Sequence, residues 1–247
     1  MNARSKSLAE NFLEYFDITY AKETYQKNNA GRVRYRVYCE EFGYEEASSF
    51  PDGIETDDFD AASLHCLITH KPSGTPAGCV RVVLAGRGGQ MPFEKFCAGS
   101  LDADFFEKHP MERESMCEIS RLAVDSQFRR RSGEQTTRFG VAAEKKFSLE
   151  ELRTFPLFAV SCYLGATALG GMAGCTNGFA MMEPFLPRLL SHAGIAVTKV
   201  GSDIDYHGMR APYYVTLRET LDNMYPELKA LYLDIQGILE SEYSAQS

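Results

Sequence analysis

A carboxylate, a hydroxyl and a cation stand together at Glu118, Ser120 and Arg121. A basic, glycine-containing segment, Arg129-Arg130-Arg131-Ser132-Gly133, follows shortly after. A glutamate on an apolar strand takes a proton from an amine when partial desolvation raises its pKa. A basic turn that opens a helix holds a phosphate on side chains and backbone N–H groups. The pattern fits chemistry in which a phosphate-bearing donor lies beside a proton-handling group. An ion pair between Glu118 and an arginine is the competing account, since it would lower that pKa and spoil a base role. The residues alone leave both open.

Further polar clusters make sense only if folding gathers them at the same place. On a helix Arg34 and Tyr38 would share one face, one turn apart, with Tyr44 six residues on. Glu55-Thr56-Asp57-Asp58-Phe59-Asp60 puts four carboxylates in six residues. They read either as solvated loop charge or, if buried, as acids that need partners, with Arg34, Arg81 and Arg121 available. The spacing does not match an EF-hand loop. Arg81 interrupts an apolar run in which Val80, Val82 and Leu84 share one face, and Cys79, Arg81 and Val83 the other. It is read as reaching a buried carboxylate. Tyr206-His207-Gly208-Met209-Arg210-Ala211-Pro212-Tyr213-Tyr214 is a polar-aromatic loop of the kind that binds ligands, where a tyrosine could protonate a leaving thiolate.

The elements that must carry these groups follow from periodicity. Residues 5–16 read as a helix, 17–22 as a strand, and 30–42 as a helix striped by Val33, Val37, Tyr38 and Phe42. Residues 66–69 and 77–85 read as a hairpin turned by Lys71-Pro72-Ser73-Gly74-Thr75-Pro76. After an irregular stretch, 86–115, comes a central strand over 117–124. Strict alternation there would put Glu118, Ser120, Leu122 and Val124 on one face and Arg121 on the other. Helices are predicted at 133–147, 157–173 and 184–192, and strands at 178–182, 195–202 and 213–217. The tail, 218–243, reads as one amphipathic helix with Leu228, Leu231, Tyr232, Ile235 and Leu239 on its apolar face, packing in cis or across a homodimer. The order implies an α/β class, with a central mixed β-sheet flanked by helices.

The 247 residues, 44% apolar, read as one domain over 1–247 with the C-terminal helix as an appendage, because no linker, charge block or repeat interrupts them. A net charge of −8 argues against a nucleic-acid partner, which needs clustered cations. Seven scattered cysteines with no C-x-x-C spacing point to reduced thiols of a cytoplasmic protein, and the five histidines show no metal-ligand spacing. Residues 154–182 carry no charge, yet glycines and polar residues dilute them. A buried helix running into a buried strand accounts for that run better than a membrane span does.

In order, these residues resemble the autoinducer (acyl-homoserine-lactone) synthase branch of the GNAT-like acyltransferases. Arg34, Tyr38 and Tyr44 match its arginine and two aromatics, with tyrosines where that branch usually has Phe and Trp. Glu55, Asp57 and Asp60 match its E-x-D-x-x-D, Arg81 its hairpin arginine, and Glu118, Ser120 and Arg121 its E-x-S-R element. Arg130 to Gly133 satisfies the R-x-x-G part of a coenzyme A pyrophosphate loop, with Gln135 where a second small residue usually stands. The C-terminal half looks more like the long-chain N-acyl amino acid synthases and the acyltransferases associated with PEP-CTERM/exosortase systems.

The resemblance implies a GNAT-like fold moving an acyl group from an acyl-carrier-protein phosphopantetheine thioester, or from acyl-CoA, to a small-molecule amine, without a metal. It implies Glu118 as the base, with Ser120 and Arg121 beside it. Backbone at Leu122, Ala123 and Val124 would polarise the thioester, and Arg129, Arg130, Arg131 and Gly133 would bind the phosphate or an acidic carrier-protein face. Arg34, Tyr38, Tyr44, Glu55, Asp57, Asp60 and Arg81 would form the acceptor and ion network. Tyr206, His207, Arg210 and Tyr213 would form an acid or binding loop. Small residues of the charge-free helix, Gly165, Ala166, Ala168, Gly170 and Gly171, serve either an acyl chain lying against it or close helix–sheet packing.

Overall fold

The computed structural model describes residues 6–87, 89–129, 151 and 153–244. The helix predicted at 133–147, with Arg130, Arg131 and Gly133, lies outside them. Helix α1 (Leu8–Tyr15) starts at a capping box, with Ser7 accepting from the Glu10 N–H and the Glu10 carboxylate accepting from Ser7. It runs directly into β1 (Phe16–Tyr20). Helix α2 (Thr24–Arg34) continues as a wider π-helical segment, Tyr35–Glu41, closed by the Phe42 N–H donating to Val37 O at 3.1 Å. Periodicity predicts an uninterrupted helix here. The widened turns let Arg34 and Tyr38 reach different partners instead of stacking on one face.

The sheet is built from β2 (Ser63–His70), β3 (Thr75–Leu84), β4 (Met116–Val124), β5 (Asn177–Met182), β6 (Thr198–Lys199), β7 (Ile204–Asp205) and β8 (Met209–Thr216), with β1 at one edge. Strand order is β1-β2-β3-β4-β5-β8-β6, with β7 pairing β8. All these pairs are antiparallel except β4–β5, which is parallel. Residues 86–115, read from sequence as irregular, contain the short helices α3 (Pro92–Phe96) and α4 (Ala103–Lys108). The strand expected at 195–202 shrinks to Thr198–Lys199.

Helix α5 (Phe158–Met172) lies across β2, β3 and β4, and α6 (Phe185–Ser191) follows β5. The stretch Phe155–Met172 is long and apolar enough to cross a membrane, but most of it is buried in the protein's own core. Its glycines explain how closely it packs. A Cβ on Gly165 would sit 2.7 Å from Cys66 Sγ, and one on Gly171 2.9 Å from Leu217. These small residues let the helix sit down on the sheet and on the segment beyond β8; they do not form an acyl-chain wall. The tail is two helices, α7 (Leu217–Asn223) and α8 (Pro226–Ser244), because Pro226 cannot continue a helix already running. Leu228, Leu231, Tyr232, Ile235 and Leu239 are buried in the main core, so the apolar stripe of α8 is covered in cis.

Two irregularities in β4 create the site. The β3–β4 register slips between Cys79, opposite Ala123, and Arg81, opposite Ser120, so Arg121 and Leu122 together face Val80. Arg121 adopts φ 51°, the left-handed region that a β-branched or bulky side chain rarely enters. The extra residue reverses the alternation beyond it. Leu122 and Val124 therefore join Cys117 and Ile119 against the α5 core, while Arg121 turns to the acidic loop. The face assignment read from strict alternation fails for these residues because a bulge is a pairing event, which periodicity does not show. The second irregularity is that β4 and β5 pair only from Met116–Asn177 to Glu118–Phe179, then part.

Candidate active site

Where β4 and β5 separate, a cavity of about 390 Å³ opens. Glu118 to Val124 form one wall and Ala180 to Glu183 the other. Tyr38, Tyr44, Tyr206 and Arg210 line it as well, and Phe155, Phe158, Leu186 and Leu189 make it largely apolar. The backbone groups of β4 that face β5 beyond Glu118 have no partner in that strand. They are available to a bound carbonyl.

Glu118 is 2% exposed and accepts a hydrogen bond from the Phe93 backbone N–H at 2.9 Å. Among the described residues it makes no salt bridge. Burial pushes its pKa up to about 8, against the opposing pull of the Phe93 N–H. Of the two readings open in the sequence, the structure therefore shows the desolvated carboxyl.

The acidic loop is the opposite case. Arg34 pairs with Glu55 and, at 2.7 Å, with Asp60; Arg81 pairs with Asp57 and, at 2.8 Å, with Asp60. Arg121 Nη2 lies 3.2 Å from Glu45, Glu55 and Asp57. Arg34, Glu55 and Arg81 are almost completely buried. Asp60 is held well below the usual carboxylate range, because Arg34 and Arg81 override the upward push of burial. Asp57 is lowered in the same way by Arg81 and Arg121. His65 lies against this network, where burial lowers its pKa to about 4 and leaves the ring neutral at pH 7. The network meets the cavity through Arg81 Nε donating to Ser120 Oγ at 3.1 Å and through Arg121.

Tyr38 supports the bulge. Its hydroxyl donates to Leu122 O at 2.9 Å and its ring lies 5.5 Å from the Arg121 guanidinium. Burial raises its pKa to about 12, so it stays protonated and keeps donating. Tyr44 stacks on Phe42 at 5.3 Å and carries the Arg210 guanidinium at 5.6 Å. His207, also left-handed at φ 54°, forms the turn between β7 and β8 and packs on Tyr44 at 5.6 Å.

The cavity thus gathers Glu118, Ser120, Arg121, Leu122, Ala123, Val124, Tyr38, Tyr44, Arg129, Tyr206 and Arg210, with His207 at its rim. Arg34, Glu55, Asp57, Asp60 and Arg81 do not line it; they brace it from behind. Two expectations need correction. Tyr213 is not in the binding loop: it pairs with Ala180 and Lys199 inside the sheet and packs on the main core. Arg129 pairs with Glu41 and lies 5.3 Å from the Phe42 ring, with a side chain 7% exposed. It is a cavity wall and not an exposed docking cation. Sequence reasoning also missed Glu45, Glu183 and the Phe93 N–H. Glu45 is adjacent to Tyr44, and Glu183 is the charge that ends the uncharged run, but only folding connects either to the site.

Residues 33–138 match the family model of the acetyltransferase (GNAT) domain. Solved structures with a similar fold include TofI in a ternary complex with an inhibitor and MTA (16% identity, TM-score 0.60, 88% of this chain and 99% of that one). BjaI, a CoA-dependent acyl-homoserine lactone synthase solved with SAM and isopentyl-CoA, matches at 18% identity and TM-score 0.59 over 89% of each chain. FeeM, an N-acyl amino acid synthase from uncultured soil microbes, matches at 12% identity and TM-score 0.55 over 87% of this chain and 97% of its own. No curated protein sequence matches the chain. Residues 33–138 thus match an acetyltransferase (GNAT) domain, and the chain has the GNAT-like α/β fold.

Proposed function

We propose that this acyltransferase moves a long acyl chain from an acyl-carrier-protein phosphopantetheine thioester, or from acyl-CoA, to the amine of an amino acid. The observation that carries the reading is Glu118, a buried carboxyl without a salt bridge among the described residues, where β4 and β5 part and a mainly apolar cavity opens. The thioester carbonyl would lie against the β4 backbone past Glu118. Glu118, directly or through a water, takes a proton as the amine attacks that carbonyl. The C–N bond forms, the C–S bond breaks, and the departing thiolate is protonated, with no covalent enzyme intermediate.

The apolar lining by Phe155, Phe158, Leu186 and Leu189 supports a long chain over an acetyl group. BjaI as a CoA-dependent synthase and FeeM as an N-acyl amino acid synthase support the donor and acceptor classes. The Tyr206–Tyr214 segment supports kinship with acyltransferases associated with PEP-CTERM/exosortase systems. Seven free cysteines support action in the reducing cytoplasm.

The test is incubation with dodecanoyl- and hexadecanoyl-carrier protein, the corresponding acyl-CoAs and acetyl-CoA, each with a pool of amino acids, read by mass spectrometry. Long-chain N-acyl amino acids are expected. Acetylated products alone would replace this with a short-chain acetyltransferase, and no product from any donor would leave an acyl-ligand-binding module.

A further inference from the structure

The acceptor's own recognition is the part of this reaction still without a residue. The obvious cations for an acceptor carboxylate are Arg34, Arg81 and Arg121, and the structure argues against all three. Arg34 and Arg81 are 2% and 1% exposed and do not line the cavity. Arg121 reaches it, but its guanidinium already faces Glu45, Glu55 and Asp57, each at 3.2 Å. A fourth carboxylate there would meet three others. Arg129, the next cavity cation, is held by Glu41.

Arg210 differs from these. It stands near the start of β8 and lines the same cavity as Glu118. Its one salt bridge among the described residues, to Glu183, is long at 3.5 Å, and the guanidinium lies over the Tyr44 ring. Its Nε is buried without a hydrogen-bond partner, as Arg34 Nη2 and Arg81 Nη2 are, but of these three arginines only Arg210 lines the cavity. A guanidinium is always charged and carries five N–H donors, so this one is under-satisfied where it stands. The Tyr44 face holds it without neutralising it.

We propose that Arg210 is the specificity-determining residue for the acceptor: it binds the α-carboxylate of an amino acid whose amine is presented to Glu118. This rests on the N-acyl transfer reading above and names the residue that recognises the carboxylate of its amino-acid acceptor. A cavity offering a proton acceptor and an under-satisfied guanidinium matches an amino acid's ammonium and carboxylate. Both charged ends are satisfied only when both groups are present.

The experiment uses the full chain, dodecanoyl-carrier protein and two acceptor pools: α-amino acids, and the same amino acids as carboxamides. Wild type is expected to favour the acids. In Arg210→Gln, KM for the preferred acid should rise roughly 10- to 100-fold and the acid-over-amide preference should collapse, with donor KM unchanged. Arg210→Lys, which keeps the charge, should recover part of that preference. It also serves if the glutamine variant melts early. An unaltered acid-over-amide ratio in both variants, or equal use of amides by wild type, overturns the carboxylate site while leaving acyl transfer intact. No product from either pool would remove the acyl-transfer reading, and this site with it.

Discussion

Two clusters of ionisable groups lie within a few residues of each other on β4, and they are electrostatic opposites. Around Ser120 and Arg121, three arginines and four carboxylates pair with one another, and Asp57 and Asp60 stay ionised well below their ordinary range. At Glu118, two positions before Ser120, a carboxyl of the same chemical type has no ion-pair partner among the described residues, and burial pushes its pKa up to about 8. The difference lies in the partners, since both places are buried. Dense mutual pairing makes a rigid brace whose charges do no proton chemistry. An unpaired acid beside it is free to exchange a proton near neutrality.

The comparison breaks most sharply at Glu118. Glu118→Gln is expected to lower kcat about 10²- to 10⁴-fold with the fold intact, read by steady-state kinetics beside circular dichroism. Near-normal turnover would remove Glu118 from the base role. The brace should fail differently. Arg81→Met strips half-buried Asp57 and Asp60 of a shared, fully buried partner and is expected to cost about 3–5 kcal/mol of stability, measured by denaturant titration. A loss below about 1 kcal/mol would mean the network is not braced as described.

The pH dependence sharpens the contrast, because the two regions slope in opposite directions. Glu118 has a raised folded pKa, so its contribution is present at acid pH and lost as pH rises towards about 8. Glu118→Gln should therefore be more stable than wild type by roughly 1–3 kcal/mol near pH 8, with no difference in mild acid. His65 has a lowered folded pKa, so stability falls as pH drops from its ordinary value of about 6.5 towards about 4. Asp57 and Asp60 add to the loss below that. His65→Asn should flatten the first part of this acid limb in denaturant titrations across pH. A smaller effect is expected at the bulge. Tyr38→Phe leaves the Leu122 carbonyl without its donor and should cost about 0.5–1.5 kcal/mol, visible as a lower Tm.

What the sequence revealed and what it hid follow the same division. The brace was legible because buried charge demands partners: an arginine inside the apolar run at Arg81 and four carboxylates at 55–60 are hard to place otherwise. The alternation of β3 also holds, with Val80, Val82 and Leu84 in the main core and Cys79 on the other face. Alternation failed on β4, where the bulge at Arg121 turns Leu122 and Val124 over. The π-helical turns at Tyr35–Glu41 and the break before Pro226 likewise depend on packing, or on a single residue that a long periodic window averages away. The cavity was hidden because it exists only where two strands distant in sequence stop pairing. None of its far wall, Ala180 to Leu189, carries a signal of its own.

The most direct test of the central claim is single-turnover acyl transfer, by wild type and by Glu118→Gln, followed across pH with a saturating acyl-carrier donor. The wild-type rate should climb with an apparent pKa close to 8, while the glutamine variant stays low and flat. A wild-type profile that levels off near pH 4 to 5, or a variant that keeps the wild-type rate, would contradict it.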